Sequence, residues 1–166
     1  MRYLTLTVFC IAVSLPALSL TAEETKEKNV KTFVLHPIGV VEKTKEQARL
    51  VIDEKCQGGL LGLNGFSHVW VLYWFDRNDT PAKRSILQVH PRGNAKNPLT
   101  GVFATRAPVR PNLIALSLCK IVSVKDNVVE IEDIDAFDES PILDIKPYLP
   151  RERLTDAKFP DWIGRK

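Results

Sequence analysis

Two segments of the chain carry side chains suited to chemistry. Residues 104–112, ATRAPVRPN, hold two arginines, two prolines and an asparagine between apolar runs. Proline restricts a loop in advance, so less entropy is lost when the loop is ordered around a ligand. Arg106 and Arg110 on such a loop present planar forks matched to a carboxylate or a phosphate. A rigid surface turn with solvated arginines is the other reading of the same residues. Arg92 and Lys96, in the loop 91–98, either extend one basic rim or stand as scattered surface charges. The second segment is 133–139, with four acids: Asp133, Asp135, Asp138 and Glu139. Loop carboxylates accept hydrogen bonds from ribose hydroxyls and amines, and acids are also common turn formers. The aromatic group Phe66, Trp70, Tyr73, Trp74 and Phe75 either stacks a base or fills the core.

Generic catalytic patterns are missing from the sequence. His36, His68 and His90 lie far apart, without H-x-x-x-H or C-x-x-C spacing, which argues against zinc. No Walker loop, G-x-S-x-G elbow or G-x-G-x-x-G turn is present. In an extended chain Ser67 and His68 point to opposite faces, so no nucleophile–base pair is expected there. The 166 residues suffice for one domain, and a hydrophobic share of 45% argues against a disordered chain. A net charge of +3 is too small to mark a nucleic-acid binder by field strength alone. Three cysteines exclude a disulfide framework. Cys56 and Cys119 are read as two independent thiols.

The elements that must position these residues read as β. Strands are expected over 33–35, 38–41, 48–52, 69–75, 85–89, 102–105, 113–124, 128–132 and 142–145. The stretch 69–75 is apolar on both faces, as in a central buried strand. Asp126-Asn127 reads as a hairpin turn, and 58–62 as a helical turn or a loop. Many short strands without strand–helix alternation point to a β-barrel or sandwich rather than a dinucleotide-binding domain. Residues 1–22 have a basic start, an apolar middle and small residues at the exit, the pattern of a secretory signal peptide. Residues 23–32 are charged and polar, as in a linker. No apolar run reaches the length of a bilayer span.

Three longer stretches carry a resemblance. GLNGFSHVWVLYWF (62–75), GVFATRAPVRPN (101–112) and DIKPYLP (144–150) are similar to the signatures of the TsaA-like family, also called TrmO. Pro37-Ile38-Gly39-Val40 also matches, and the likeness runs over about residues 36–163. It implies an all-β fold: a single compact barrel over 33–163, with short helical turns in its loops. It also implies S-adenosylmethionine as cofactor, and methylation of the exocyclic amine of threonylcarbamoyl-adenosine in tRNA. Cofactor contacts are implied at Asp76, Arg77, Arg106, Leu116, Ile134 and Asp135, with Arg110 and Asn112 shaping the same pocket. Lys146 and Tyr148 are further candidates from the last motif. A homodimer is implied, and neither a dedicated nucleophile nor a metal. Longer members carry an extension that works around RNA; here residues 151–166 follow the last motif.

The chain departs from the family pattern in places. Thr44-Lys45-Glu46-Gln47-Ala48 stands where Pro-Arg-Gln is usual, Leu113 replaces a proline, Ala115 a glycine and Asp76 a histidine. Loss of that glycine is expected to hinder close backbone approach. These departures, with the signal-like start, support a second reading: an exported, non-catalytic small-ligand-binding paralogue, free of the membrane after signal cleavage. A cytoplasmic address follows if translation begins at a later start.

Overall fold

Alternating apolar residues close a barrel. The computed structural model describes residues 31–163. The signal-like segment 1–22, and the linker 23–32 except its last two residues, lie outside the described residues. Six strands form the barrel: β1 (Gly39–Lys43), β2 (Ala48–Ile52), β3 (His68–Trp74), β6 (Ile114–Lys125), β7 (Val128–Ile131) and β8 (Pro141–Pro147). β4 (Gln88–Val89) and β5 (Thr100–Gly101) make a separate two-stranded ribbon. The barrel order is β1-β2-β7-β6-β3-β8, with every neighbouring pair antiparallel. Side chains alternate along each strand, so every second residue enters the interior. Val41, Leu50, Val69, Val71, Val129 and Ile142 are fully buried there. Each such side chain contributes about 1.5–3 kcal/mol relative to exposure.

Cys119 points into the same interior, where burial pushes its thiol up to about 12. It is an inert core residue. Cys56 is half-buried, and the two cysteines stand as separate thiols.

β3 is apolar on both faces but fully buried on only one. Val69, Val71 and Tyr73 face inward, while His68, Trp70, Leu72 and Trp74 are half-buried on the outside. Of the aromatic group, Tyr73 alone is fully buried, and Phe66 is exposed. The expected strand at 102–105 is a 3-10 turn, Val102–Ala104, and that at 85–89 shrinks to Gln88–Val89. Residues 33–35 form no strand and are exposed. Apart from Gln88–Val89, which pairs β5, these short apolar runs lie in no ladder, and propensity alone does not hold a strand. β8 is longer than expected because it pairs β3 over Val69–Tyr73. The hairpin turn sits at Asp126, whose φ of 53° is left-handed, a region Asp tolerates.

One glycine is sterically required. Gly39 packs against β2, where an added Cβ would lie 2.2 Å from the Val51 carbonyl oxygen. Gly39→Ala must spread β1 from β2, at a cost of about 1–3 kcal/mol. A urea titration should show a lower midpoint for the variant; an unchanged midpoint would contradict this close approach.

Candidate functional site

β6 is shared between two partners, and the change of partner opens the site. It pairs β3 over Ile114–Lys120 and β7 from Ile121 to Lys125, with an irregular register between Ile121 and Ser123. The β3 ladder is bracketed by Phe75 N–H donating to Leu113 O and Ile121 N–H donating to Ser67 O, both at 2.8 Å. In an antiparallel pair such bonds fall on every second residue. The β3 bonds therefore fall on the odd-numbered residues of β6, and Leu116, Leu118 and Lys120 turn their backbone groups to the opposite edge. Lys120 O accepts from Glu132 N–H at 3.0 Å. Beyond it, Leu116 and Leu118 line a cavity of about 570 Å³.

The acidic loop forms the opposite wall of that cavity, through Asp133, Ile134 and Asp135. Barrel side chains hold this loop by its backbone. Lys43 Nζ, at the end of β1, donates to the Ile134 carbonyl and pairs with Asp133 at 2.9 Å. Tyr73 OH, from inside the barrel, donates to the Asp135 carbonyl, with Ser117 Oγ 3.4 Å away. Burial raises the Tyr73 pKa, which keeps the hydroxyl a proton donor. The Lys43 ammonium lowers the pKa of Asp133. Ile134 is 2% exposed and anchors the loop.

The proline–arginine loop is held from the other side. Within it, Arg110 NH1 donates to the Thr105 carbonyl at 3.5 Å. The short helix α1 (Pro81–Arg84) supplies Arg84, which bonds Asp79 at 2.7 Å and the Pro111 carbonyl at 2.9 Å and stacks over Trp74. Hydrogen bonds from Arg84 and the Trp74 indole lower the pKa of Asp79. Arg77 stacks on Phe137 at 4.1 Å, joining the turn after β3 to the acidic loop.

These tethers leave two opposite charges at the centre. Arg106 and Asp135 both line the 570 Å³ cavity, a smaller one of about 230 Å³ beside Asp76, Arg77 and Phe137, and a larger one of about 1310 Å³. The three compartments meet at this pair. Among the described residues neither side chain makes a hydrogen bond or ion pair. A cationic fork beside an anion suits a zwitterionic ligand, and the open β6 edge offers it backbone donors and acceptors.

Of the sequence candidates, Asp76, Arg77, Arg106, Arg110, Leu116, Ile134 and Asp135 therefore gather around one cleft. Asn112 is exposed and lines none of the three compartments. Lys146 pairs with Asp144 at 2.7 Å, and Tyr148 packs near Trp70 and His68, both away from the cleft. Arg92 lines the larger compartment and Lys96 does not. Ala115 is 3% exposed, packed in the core cluster while it lines the 570 Å³ cavity, so replacing glycine there leaves the β6 edge open. Contrary to expectation, Ser67 Oγ and His68 Nδ1 are hydrogen-bonded at 2.9 Å. Ser67 precedes β3, so strand alternation does not govern its side chain. Sequence reasoning missed Lys43, Ser117 and the loop-holding role of Tyr73. Lys43 carries no local signal, since its partners are about 90 residues away.

Lys43→Met should loosen the acidic loop and weaken ligand binding in the cleft. Asp133 is largely exposed, so the ion pair itself stabilises the fold by under about 1 kcal/mol. The folded pKa of Asp133 lies below its unfolded value, so this contribution is present above about pH 4 and is lost as pH falls through the folded pKa. The stability difference between wild type and variant should shrink below that pH in urea titrations. A difference that grows on acidification would overturn the pairing.

Comparison with known proteins places this geometry. The family model described as tRNA-methyltransferase O N-terminal domain matches residues 30–152. A probable S-adenosyl-L-methionine-binding protein of Methanocaldococcus jannaschii is 48% identical over 114 residues, 69% of this chain and 90% of that protein. The mouse tRNA (adenine(37)-N6)-methyltransferase is 43% identical over 90 residues, 54% of this chain but 20% of that enzyme. A crystal structure of TrmO from Pseudomonas aeruginosa has the same fold, with a TM-score of 0.62 at 27% identity, over 77% of this chain and 61% of that one. The chain thus spans a fifth of the mouse enzyme and less than two thirds of the bacterial structure. The match over 30–152, on a closed barrel whose open β6 edge faces Arg106 and Asp135, makes the chain a member of the tRNA-methyltransferase O N-terminal domain family.

Proposed function

We propose that the chain is an S-adenosylmethionine-dependent methyltransferase whose acceptor is the exocyclic amine of adenine 37 in tRNA. One observation carries the reading: Arg106 and Asp135, opposite in charge and without side-chain partners, stand where three compartments meet beside the open edge of β6. The residues present fit the cofactor. Its carboxylate suits Arg106, with Arg110 beside it, and its ribose hydroxyls suit Asp135. Its adenine suits the Leu116 and Leu118 backbone edge, which presents donors and acceptors as a neighbouring strand would. The 570 Å³ and 230 Å³ compartments together match the size of a small-molecule site.

When bound, the cofactor supplies a methyl group already activated on a sulfonium. The chain's own part is then alignment and exclusion of water rather than nucleophilic attack. Phe75 and Ile114 give the cleft apolar walls, and Tyr73 fixes the Asp135 backbone from within the barrel. Asp135 holds its carboxylate at the junction, where it accepts hydrogen bonds from an amine entering from the larger compartment. Arg92, on that compartment's wall, faces a polyanionic acceptor, so RNA binding weakens as salt rises.

The second reading, an exported small-ligand-binding paralogue, is favoured by the β1–β2 turn and by residues 1–22. Thr44 Oγ1 accepts from the Glu46 and Gln47 N–H groups, closing the turn where the family pattern carries Pro-Arg-Gln. An exported address rests on the sequence of residues 1–22 alone.

Calorimetric titration with S-adenosylmethionine, followed by transfer of labelled methyl to tRNA, separates the two readings. Micromolar binding and transfer are expected for the methyltransferase; binding of another small molecule without transfer is expected for the paralogue. Arg106→Ala should weaken cofactor binding at least about tenfold, the usual scale for losing a charge-assisted contact. Arg92→Ala should weaken tRNA binding and leave cofactor affinity intact. Equal losses of both ligands in each variant would count against these roles.

A further inference from the structure

The compartment of about 1310 Å³ is larger than a cofactor already housed along β6 requires, and its far wall comes from the end of the chain. Residues after β8 cross the outside of the barrel and are tied to it along their course. Trp70 Nε1 donates to Glu152 at 2.5 Å, and Arg92 NH2 donates to the Ile163 carbonyl at 3.2 Å. Between these ties a turn closes with Ile163 N–H donating to Pro160 O at 3.0 Å. It brings Phe159 and Trp162 to the cavity, facing a lining that includes Phe103 and Pro108. Phe103 and Phe159 are 79% and 70% exposed. Large aromatic faces left uncovered beside arginines are the surface on which single-stranded bases stack, because every base has a π-face. Arg106 and Asp135 complete the wall on the cofactor side.

We propose that Phe159 and Trp162 form, with Phe103, the stacking wall of an acceptor-base subsite that takes an unstacked purine from RNA and leads its amine to Arg106 and Asp135. The assignment rests on the methyl-transfer reading for its direction, but the subsite itself is defined by aromatic stacking. Arg92 fixes the tail and lends positive charge to the same wall. A base inserted edge-first keeps its exocyclic amine toward the junction while its face is covered by the tail.

The test uses the full chain and the free nucleoside N6-threonylcarbamoyladenosine, with cofactor omitted. The nucleoside should quench the fluorescence of Trp162, one of three tryptophans in the chain. Trp162→Phe should abolish the quenching and retain binding, read by equilibrium dialysis. Trp162→Ala should weaken binding about tenfold or more, the scale of a lost base–aromatic stack. Affinity for S-adenosylmethionine should stay the same in all three proteins. Equal nucleoside affinity in wild type and Trp162→Ala, or no quenching at millimolar nucleoside, would overturn the subsite. So would Trp162 emission that responds to protein concentration and not to nucleoside, because a second copy of the chain would then cover the wall. Failure of wild type to bind S-adenosylmethionine while the nucleoside still quenches would sink methyl transfer and leave the subsite standing.

Discussion

The site exists because β6 changes partners. A twelve-residue strand that paired β7 along its whole length would seal the barrel, leaving no backbone groups for a ligand. β7 has four residues, so it covers only the far end of β6. The acidic loop that follows β7 must then travel back across the gap, which brings Asp133–Asp135 opposite Leu116 and Leu118. The same short strand thus makes both walls of the cleft. Barrel closure elsewhere, through β1 against β8 and β3 against β8, keeps the opening confined to this edge.

An open edge lined by charged loops is useful only if the loops are held. Here the tethers are side chains of barrel or flanking residues that grip loop backbone: Lys43 on Ile134, Tyr73 on Asp135, Arg84 on Pro111 and Arg77 on Asp138. Backbone is gripped while the side chains of Arg106 and Asp135 are left alone. A loop carboxylate or guanidinium satisfied by its own neighbours would have to break that bond before meeting a ligand, and the loss would subtract from binding. Arg106 and Asp135 avoid this cost.

The sequence shows the barrel and the two loops, because alternation and turn chemistry are local. Alternating residues at 48–52 and 128–131 emerge as the strands β2 and β7 almost as read. What it does not show is register. Whether Leu116 turns its backbone to a partner or to a cavity depends on which residue of β3 it faces, and apolar runs such as 69–75 leave that open. Lys43 illustrates the same gap: its sequence neighbours are polar turn residues, and its partners come from a loop placed by β7. The tail escaped for another reason. Phe159 and the pair Trp162-Ile163 are too sparse in the tail for any periodicity to mark them as part of a wall.

Among the described residues no helix is long enough for its N-terminus to cradle phosphates, and α1 spans only four residues. What the cleft offers a ligand is a strand edge and loop charge. That restriction suits a cofactor without phosphates, whose handles are a carboxylate, an amine, ribose hydroxyls and an adenine edge. It also sets the β6 compartment apart from the larger one. In the proposed reading, fixed backbone groups along β6 meet the cofactor, while loop and tail side chains define the larger compartment. A change in residues 159–163 therefore reshapes the larger compartment without touching the open edge of β6. The Arg92 bond to Ile163 joins the loop side and the tail side of that larger compartment.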